Sequence, residues 1–321
     1  MTTDIDHILD RRSLRKKVSF WRIAALLAFA AVVLALLSSL GVFKGAATAV
    51  DHIARVEIEG TITENRKLLQ LIKEVEDNDN VKGVVLVIDS PGGTTVGGEA
   101  IYEAVRNLTE KKPTVTSVGT LAASAGYMIA SATDHIVARN SSIVGSIGVI
   151  IQYPQASELL AKIGIEMKEV KSSPLKAEPS PFNESPPEAT AMLQTLIDDG
   201  YRWFVDLVTE RRKLPREEVL RLADGSVYSG TRALDLKLID ALGGEDVARK
   251  WLVDEKGLSD DLKVLDWKVK SNVSAIPFTA RAVRWMMGDT SSGLDGIDPD
   301  TLPAIVPKRL FLDGLLSVWH G

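Results

Sequence analysis

Ser124 lies in the run Leu121-Ala122-Ala123-Ser124-Ala125-Gly126-Tyr127, where its neighbours are small enough to let a substrate backbone approach a hydroxyl. Two readings are open. Ser124 is either a nucleophile at a strand-to-helix turn, where a helix N-terminus favours a developing oxyanion, or a serine that simply caps the helix. Upstream, Asp89-Ser90-Pro91-Gly92-Gly93 follows the most hydrophobic strand-like run of the chain. Ligands of open α/β sheets bind just past the C-terminal strand ends, and adjacent glycines there can turn N–H groups toward a ligand oxygen, as an oxyanion hole requires. A plain strand-to-helix turn would use the same residues. The run is not a phosphate loop, because no Gly-Lys-Ser/Thr follows it. Downstream, Val144-Gly145-Ser146-Ile147-Gly148-Val149 brackets a serine with glycines, either as a turn or to set a second hydroxyl against the same site.

A serine nucleophile needs a base. The histidines are His7, His52, His135 and His320, and none stands in a Gly-rich or loop setting suited to that task. A Ser-His-Asp triad is therefore not expected, and His-pair metal motifs such as HExxH are absent. With no cysteine in the chain, thiolate nucleophiles, disulfides and Cys-ligated metals drop out as well, so no metal or cofactor is expected. Lysine remains, and it can act as a base only where its ammonium is partly desolvated. Most lysines stand in charged runs. Lys176, in Ser173-Pro174-Leu175-Lys176-Ala177, has uncharged neighbours in a proline-rich loop, although spacing alone does not separate it from a solvated loop lysine.

The elements that must position these residues read as an α/β fold. His52 to Gly60 alternates apolar and polar residues, as a strand does, and Leu68, Leu71, Ile72 and Val75 fall at helical spacing within 64–76. Val84-Val85-Leu86-Val87-Ile88 reads as a strand buried on both faces. A helix over 99–108, a strand over 114–118 and a small-residue helix from about Ala122 follow. Strands alternating with helices at this spacing indicate βαβ units and a mainly parallel sheet with flanking helices. The stretch 172–187 reads as an ordered or lid-like loop. Ser185-Pro186-Pro187-Glu188 then predicts the capped start of a long helix, with a broad apolar face from Met192 to Val208.

Composition narrows the setting. A formal net charge of −5 over 321 residues argues against a nucleic-acid partner, which would call for a basic face. Residues 1–22 carry Arg11, Arg12, Arg15, Lys16, Lys17 and Arg22, and the next 21 residues, Ile23 to Phe43, contain no ionisable side chain. That length matches the ~20 residues a helix needs to cross a bilayer core. The basic flank predicts a cytoplasmic N-terminus, with everything from about residue 45 on the far side. Ala47-Thr48-Ala49 could serve as a weak cleavage site, but the length of the run favours an uncleaved anchor. The expected layout is a basic N-terminus over 1–22, a transmembrane anchor over 23–43, a catalytic domain over 44–252 and a C-terminal extension of open role over 253–321.

Taken together, DSPGG, AASAGY, GSIGV and a KSxxxK loop ending in Ser180-Pro181-Phe182 resemble the bacterial signal peptide peptidase A family, closest to its short, single-repeat members. The resemblance runs from about residue 54 to about residue 250 and takes in the Asp224 to Gly230 and Leu238 to Gly243 segments. It implies a fold related to Clp protease and crotonase, and a serine endopeptidase with a Ser-Lys dyad. The family's nucleophile matches Ser124 and its general base Lys176. The serine that hydrogen-bonds the lysine matches Ser146, and the oxyanion-hole glycines match Gly92 and Gly93. It also implies remnant signal peptides as substrates, a ring- or dome-shaped homo-oligomer with composite active sites, and a place on the extracytoplasmic side of the bacterial inner membrane. Two residues depart from the pattern. Ala125 replaces the first glycine after the nucleophile, and Lys237 stands where the family usually has glycine. Two other readings stay open: a crotonase-like acyl-thioester enzyme using the same glycines without a serine nucleophile, and an inactive anchored scaffold that binds apolar segments.

Overall fold

The computed structural model describes residues 50–269, the short helical stretches 21–23, 26–29 and 32–33, and the backbone of 316–318. Most of the expected anchor, 23–43, and most of the C-terminal extension lie outside the described residues. Among the described residues no helix is long and apolar enough to cross a membrane. The chain divides into two units, 1–52 and 53–321, and the second holds the sheet and its helices.

In chain order the elements are β1 (His52–Glu59), α1 (Arg66–Asp77), β2 (Val81–Ser90), β3 (Gly92–Thr94), α2 (Thr95–Lys111), β4 (Thr114–Ala123), α3 (Ala125–Ala130), β5 (His135–Ala138) and β6 (Ile143–Gly145). Then come α4 (Ser157–Lys162), α5 (Pro187–Arg212), α6 (Arg216–Leu222), β7 (Val227–Ser229), α7 (Gly230–Asp235), β8 (Ala241–Leu242), α8 (Glu245–Asp254), β9 (Lys263–Trp267) and β10 (Leu316–Val318).

The main sheet runs β7-β6-β4-β2-β1-β9, with β5 and β8 attached through β4. β2 with β4, β4 with β5, β4 with β6 and β5 with β8 are parallel, and β6 with β7 is antiparallel. β4 therefore takes two partners in succession along one edge: β5 beside Val115 to Val118, then β6 beside Leu121 to Ala123. The small-residue helix expected from Ala122 begins only at Ala125, because the pairing with β6 keeps Leu121-Ala122-Ala123 extended. β9 carries the sheet past residue 252, where the catalytic domain was expected to end.

Both faces of the centre are covered, which accounts for the unbroken apolar run in β2. Val84, Leu86 and Ile88 pack into the large core with buried residues of α1, α2, α3 and α5. Val85 and Val87 point the opposite way, as alternate strand residues must, onto Ala248 and Leu252 of α8. α1 begins where Asn65 accepts the backbone N–H groups of Lys67 and Leu68. α2 begins earlier than the expected residue 99, because Thr94 caps it through Gly97 N–H at 3.1 Å. Ser185 does not cap α5. The N-cap position is Pro186 with no side-chain cap bond, and the Ser185 hydroxyl accepts the Ser180 N–H at 3.1 Å instead.

Candidate active site

The C-terminal ends of β2, β4 and β6 lie side by side, and the three small-residue motifs sit on those ends. At the end of β2 the pairing with β4 slips between Ile88 and Ser90, where β4 carries the extra residues, Gly119 to Leu121, opposite the single Asp89. Its carboxylate accepts the N–H groups of Thr120 and Leu121, each at 3.2 Å, and so fixes the segment of β4 leading to Ser124. A Cβ on Gly119 would sit 2.9 Å from the Asp89 carboxylate, so this approach needs a glycine.

Ser90 is fully buried. Its hydroxyl donates to Gly60 O at 2.6 Å and accepts the Gly92 N–H at 3.1 Å. β3 then runs beside the chain at Ile62: Ile62 N–H donates to Gly92 O and Thr94 N–H to Ile62 O, both at 2.8 Å. Nothing larger than glycine fits at position 93, where a Cβ would meet Ile62 O at 1.8 Å. Because groups alternate along a strand, the N–H and C=O of Gly93 face the other edge of β3. There β10 runs antiparallel, Ser317 opposite Gly93. Of the two glycines expected at an oxyanion hole, Gly92 has its N–H committed to Ser90, and Gly93 turns its own toward the edge where β10 pairs.

Ser124 follows β4 with φ 53° and ψ −118°, and only 1% of its surface is exposed. It stands at the N-cap position of α3 but makes no side-chain capping bond. The true caps of this chain, Asn65, Thr94 and Ser229, are all extended and all accept from their helices. A positive φ on a serine costs roughly 1–3 kcal/mol and persists only where the surroundings enforce it. Here the enforcement is the Ser124 N–H bonded to Gly145 O at 2.8 Å and the Ser124 carbonyl accepting Met128 N–H at 2.9 Å. A sharp strand-to-helix turn with a strained serine is the geometry of a nucleophile elbow. Ala125, fully buried behind it, is accommodated by Gly98 of α2, whose missing Cβ would have lain 3.0 Å from the Ala125 methyl.

Ser146 occupies the matching position one strand over, since Ala123 pairs with Gly145. It too has a positive φ, 51°, and its N–H is held by Ser226 O at 2.8 Å. Lys176 is not joined to this group. It lies exposed in the irregular stretch between α4 and α5 and makes no hydrogen bond or ion pair to Ser124 or Ser146. Of the other lysines of that stretch, Lys168 is exposed beside Glu166, and Lys171 pairs with Glu169 at 2.5 Å and with Glu178. These carboxylates, Glu169 foremost, raise its pKa, so Lys171 is held protonated and is a poor base. Two features escaped the sequence reading: the anchoring roles of Asp89 and Ser90, and the left-handed backbone at Ser124 and Ser146. No residue pattern marks a strained serine, but an end to regular pairing near Asp89 is foreshadowed by a strand ending in Asp-Ser-Pro.

The Peptidase family S49 pattern matches residues 106–259. A presumed protease of Synechocystis sp. is 41% identical over 216 residues, covering 67% of this chain and 78% of that protein. The chain belongs to peptidase family S49. Protease 4 of Haemophilus influenzae is 32% identical to this S49 peptidase over 70% of the chain, but the match spans only 39% of that longer protein. A presumed signal peptide peptidase of Enterococcus faecium is 33% identical over 64% of the chain and 59% of its own length, which bears out the resemblance to the signal peptide peptidase A family. Among solved structures, a membrane-bound stomatin-specific protease gives a TM-score of 0.46 at 14% identity, over 69% of this chain and 99% of that one. The S49 match begins within α2 and takes in Ser124, Ser146 and Lys176; the Gly92-Gly93 edge lies ahead of it.

Proposed function

We propose that this S49 peptidase is a membrane-anchored serine endopeptidase using Ser124 as nucleophile and Lys176 as general base. The observation that carries this reading is Ser124 itself, a buried serine held at positive φ without a capping role. Lys176 Nζ takes the proton from Ser124 Oγ as the oxygen attacks a peptide carbonyl, and Ser146 orients the amine. The Gly93 N–H stabilises the oxyanion. Collapse of the tetrahedral adduct breaks the C–N bond, the lysine proton passes to the leaving amine, and a water later hydrolyses the acyl-Ser124 ester.

The substrate is an extended apolar peptide laid antiparallel along β3, taking the place that β10 holds on that edge. The name of the Enterococcus relative supports remnant signal peptides as the natural source, and the uncharged run 23–43 behind a basic flank supports a site at the extracytoplasmic face of the bacterial inner membrane. Because Lys176 is exposed within one chain, the base reaches Ser124 from a neighbouring subunit of a homo-oligomer. The exposed Leu159, Ile163, Ile165, Met167, Val170 and Phe182 around its loop support that assembly.

The test is cleavage of apolar peptides by the full chain in detergent. Ser124→Ala and Lys176→Ala should each cut turnover more than ~10³-fold while the protein stays folded. A Lys176→Ala variant that cuts like the wild type would sink the dyad. A wild type that cuts nothing but binds acyl thioesters would replace the whole reading with a crotonase-like one.

A further inference from the structure

Ser90 is as buried as any residue in the fold, hydrogen-bonds the glycine edge through its hydroxyl, and has no part in the chemistry proposed above. We infer that Ser90 is the positioning residue of the oxyanion hole: its hydroxyl withdraws Gly92 N–H from the site, so that Gly93 N–H alone of the pair faces the reacting carbonyl. The inference rests on the peptidase reading and adds to it a division of labour between two adjacent glycines.

Three contacts carry it. The single Ser90 hydroxyl hydrogen goes to Gly60 O at 2.6 Å, since the alternative acceptor, Gly92 O, is at 3.5 Å. That leaves an Oγ lone pair aimed at Gly92 N–H, 3.1 Å away. Gly60 is locked from its other side as well, its N–H donating to Asp89 O at 3.0 Å. The hydroxyl therefore hangs β3 from a fixed point on the end of β1 and sets the twist of the peptide entering Gly93.

The same residue is keyed to the nucleophile. Ser90 pairs with Ala122 in the β2–β4 ladder, two residues before Ser124. Its carbonyl would lie 3.0 Å from a Cβ placed on Gly126, so Ser90 also rests against the turn that follows Ser124. One buried side chain thus fixes the donor edge relative to the attacking oxygen. Gly92, at φ 107°, could turn its N–H outward only by giving up this bond.

A purely structural Ser90 would affect substrate and transition-state binding alike, so the test separates them. Ser90→Ala is made in the full-length, detergent-solubilised enzyme, and a peptide aldehyde, which forms a hemiacetal on Ser124, is compared with the matching uncleaved peptide bound to the Ser124→Ala form. The expected result is a loss of ~10–100-fold in kcat and in aldehyde affinity, smaller than the ~10²–10³ for deleting a donor outright. Peptide affinity should change less than about threefold. Equal losses of peptide and aldehyde affinity, or unchanged kcat, would overturn the assignment. Should Ser90→Ala fail to fold, the wild type decides by amide resonance: aldehyde binding should shift the Gly93 N–H and leave Gly92 unmoved, and the reverse pattern refutes the inference. A wild type that neither cleaves peptides nor forms the hemiacetal would overturn the peptidase reading itself, and this inference with it.

Discussion

The corner holding Ser124 and the stretch holding Lys176 are built on opposite terms. Around Ser124 the backbone is tied on every side: Asp89 to β4, Ser90 to β1 and β3, Ser124 to β6, Ser146 to the turn before β7. Between α4 and α5, by contrast, Ile163, Val170 and Phe182 are exposed and the order comes from a few local contacts, chiefly Lys171 with Glu169 and Glu178. Under the proposed dyad, a strained nucleophile needs surroundings that a single chain can supply, and its base can be left on a surface whose apolar residues would find cover in the proposed assembly. On that view one chain completes the nucleophile half of the site and leaves the base half to its neighbour.

The strongest way to break this contrast is a mixing experiment. Ser124→Ala and Lys176→Ala chains, each inactive alone, should regain activity when dissociated and reassembled together, to about a quarter of the wild type if subunits mix at random and each site draws one residue from each chain. No recovery, with mixed oligomers verified by mass, would mean that both residues come from one chain. Next in size is Gly93→Ala. Its Cβ would overlap Ile62 O at 1.8 Å, so β3 must move, and activity should fall at least ~10²-fold. The matching change in the Lys176 region, Gly164→Ala, meets nothing within 4 Å and pays only for its φ of 75°. It should lower stability by roughly 1 kcal/mol and leave turnover nearly unchanged. Equal losses from the two would erase the distinction between the regions.

How much of this was legible beforehand follows the same divide. Val84 to Ile88 announced a strand covered on both faces, and the Leu68, Leu71, Ile72, Val75 stripe announced α1, because burial patterns are written in residue type. The start of α2 was missed, since Gly97 and Gly98 are poor helix formers kept for close packing: a Cβ on Gly98 would crowd Ala125 and Met128. Ser185 read as a cap because its type and spacing fit one, but the hydroxyl found the Ser180 N–H first. The motifs at 89–93, 124 and 146 were readable one by one. Their convergence depends on strand order, which no local pattern encodes, and the exposure of Lys176 depends on the path of an irregular stretch, which residue type does not fix.

The staple under the Lys176 loop should respond to acid. The Lys171 ammonium holds both Glu169 and Glu178 below their ordinary value of 4.5. Groups lowered in this way support the fold above the unfolded value and lose that support as pH falls through the folded one. Hydrogen exchange across 172–177 should therefore be flat from pH 5 to 8, after correction for intrinsic rates, and quicken below about pH 4. Glu178→Gln should loosen the same amides already at neutral pH, with the corner around Ser124 unaffected. Protection that survives at pH 3 would show that the loop is held by something other than these charges.

The smallest effect should come from Lys237, the position where the family resemblance led us to expect glycine. The backbone there explains the preference: φ is 58°, in the left-handed region that a side chain disfavours. The turn is nonetheless fixed by its own bonds, Lys237 N–H to Leu234 O at 3.0 Å and Arg212 Nε to Lys237 O at 2.9 Å. The lysine side chain is exposed and its removal leaves both bonds in place. Lys237→Gly should then relieve strain at little cost and raise stability by about 0.5–1 kcal/mol, read as a rise of a few degrees in Tm. Turnover should not change. On the proposed mechanism strain at Ser124 is kept because the chemistry uses it, and strain at Lys237 serves no such end, so removing it should stabilise the protein without touching function. A loss of activity in Lys237→Gly would show that this turn, too, bears on the site.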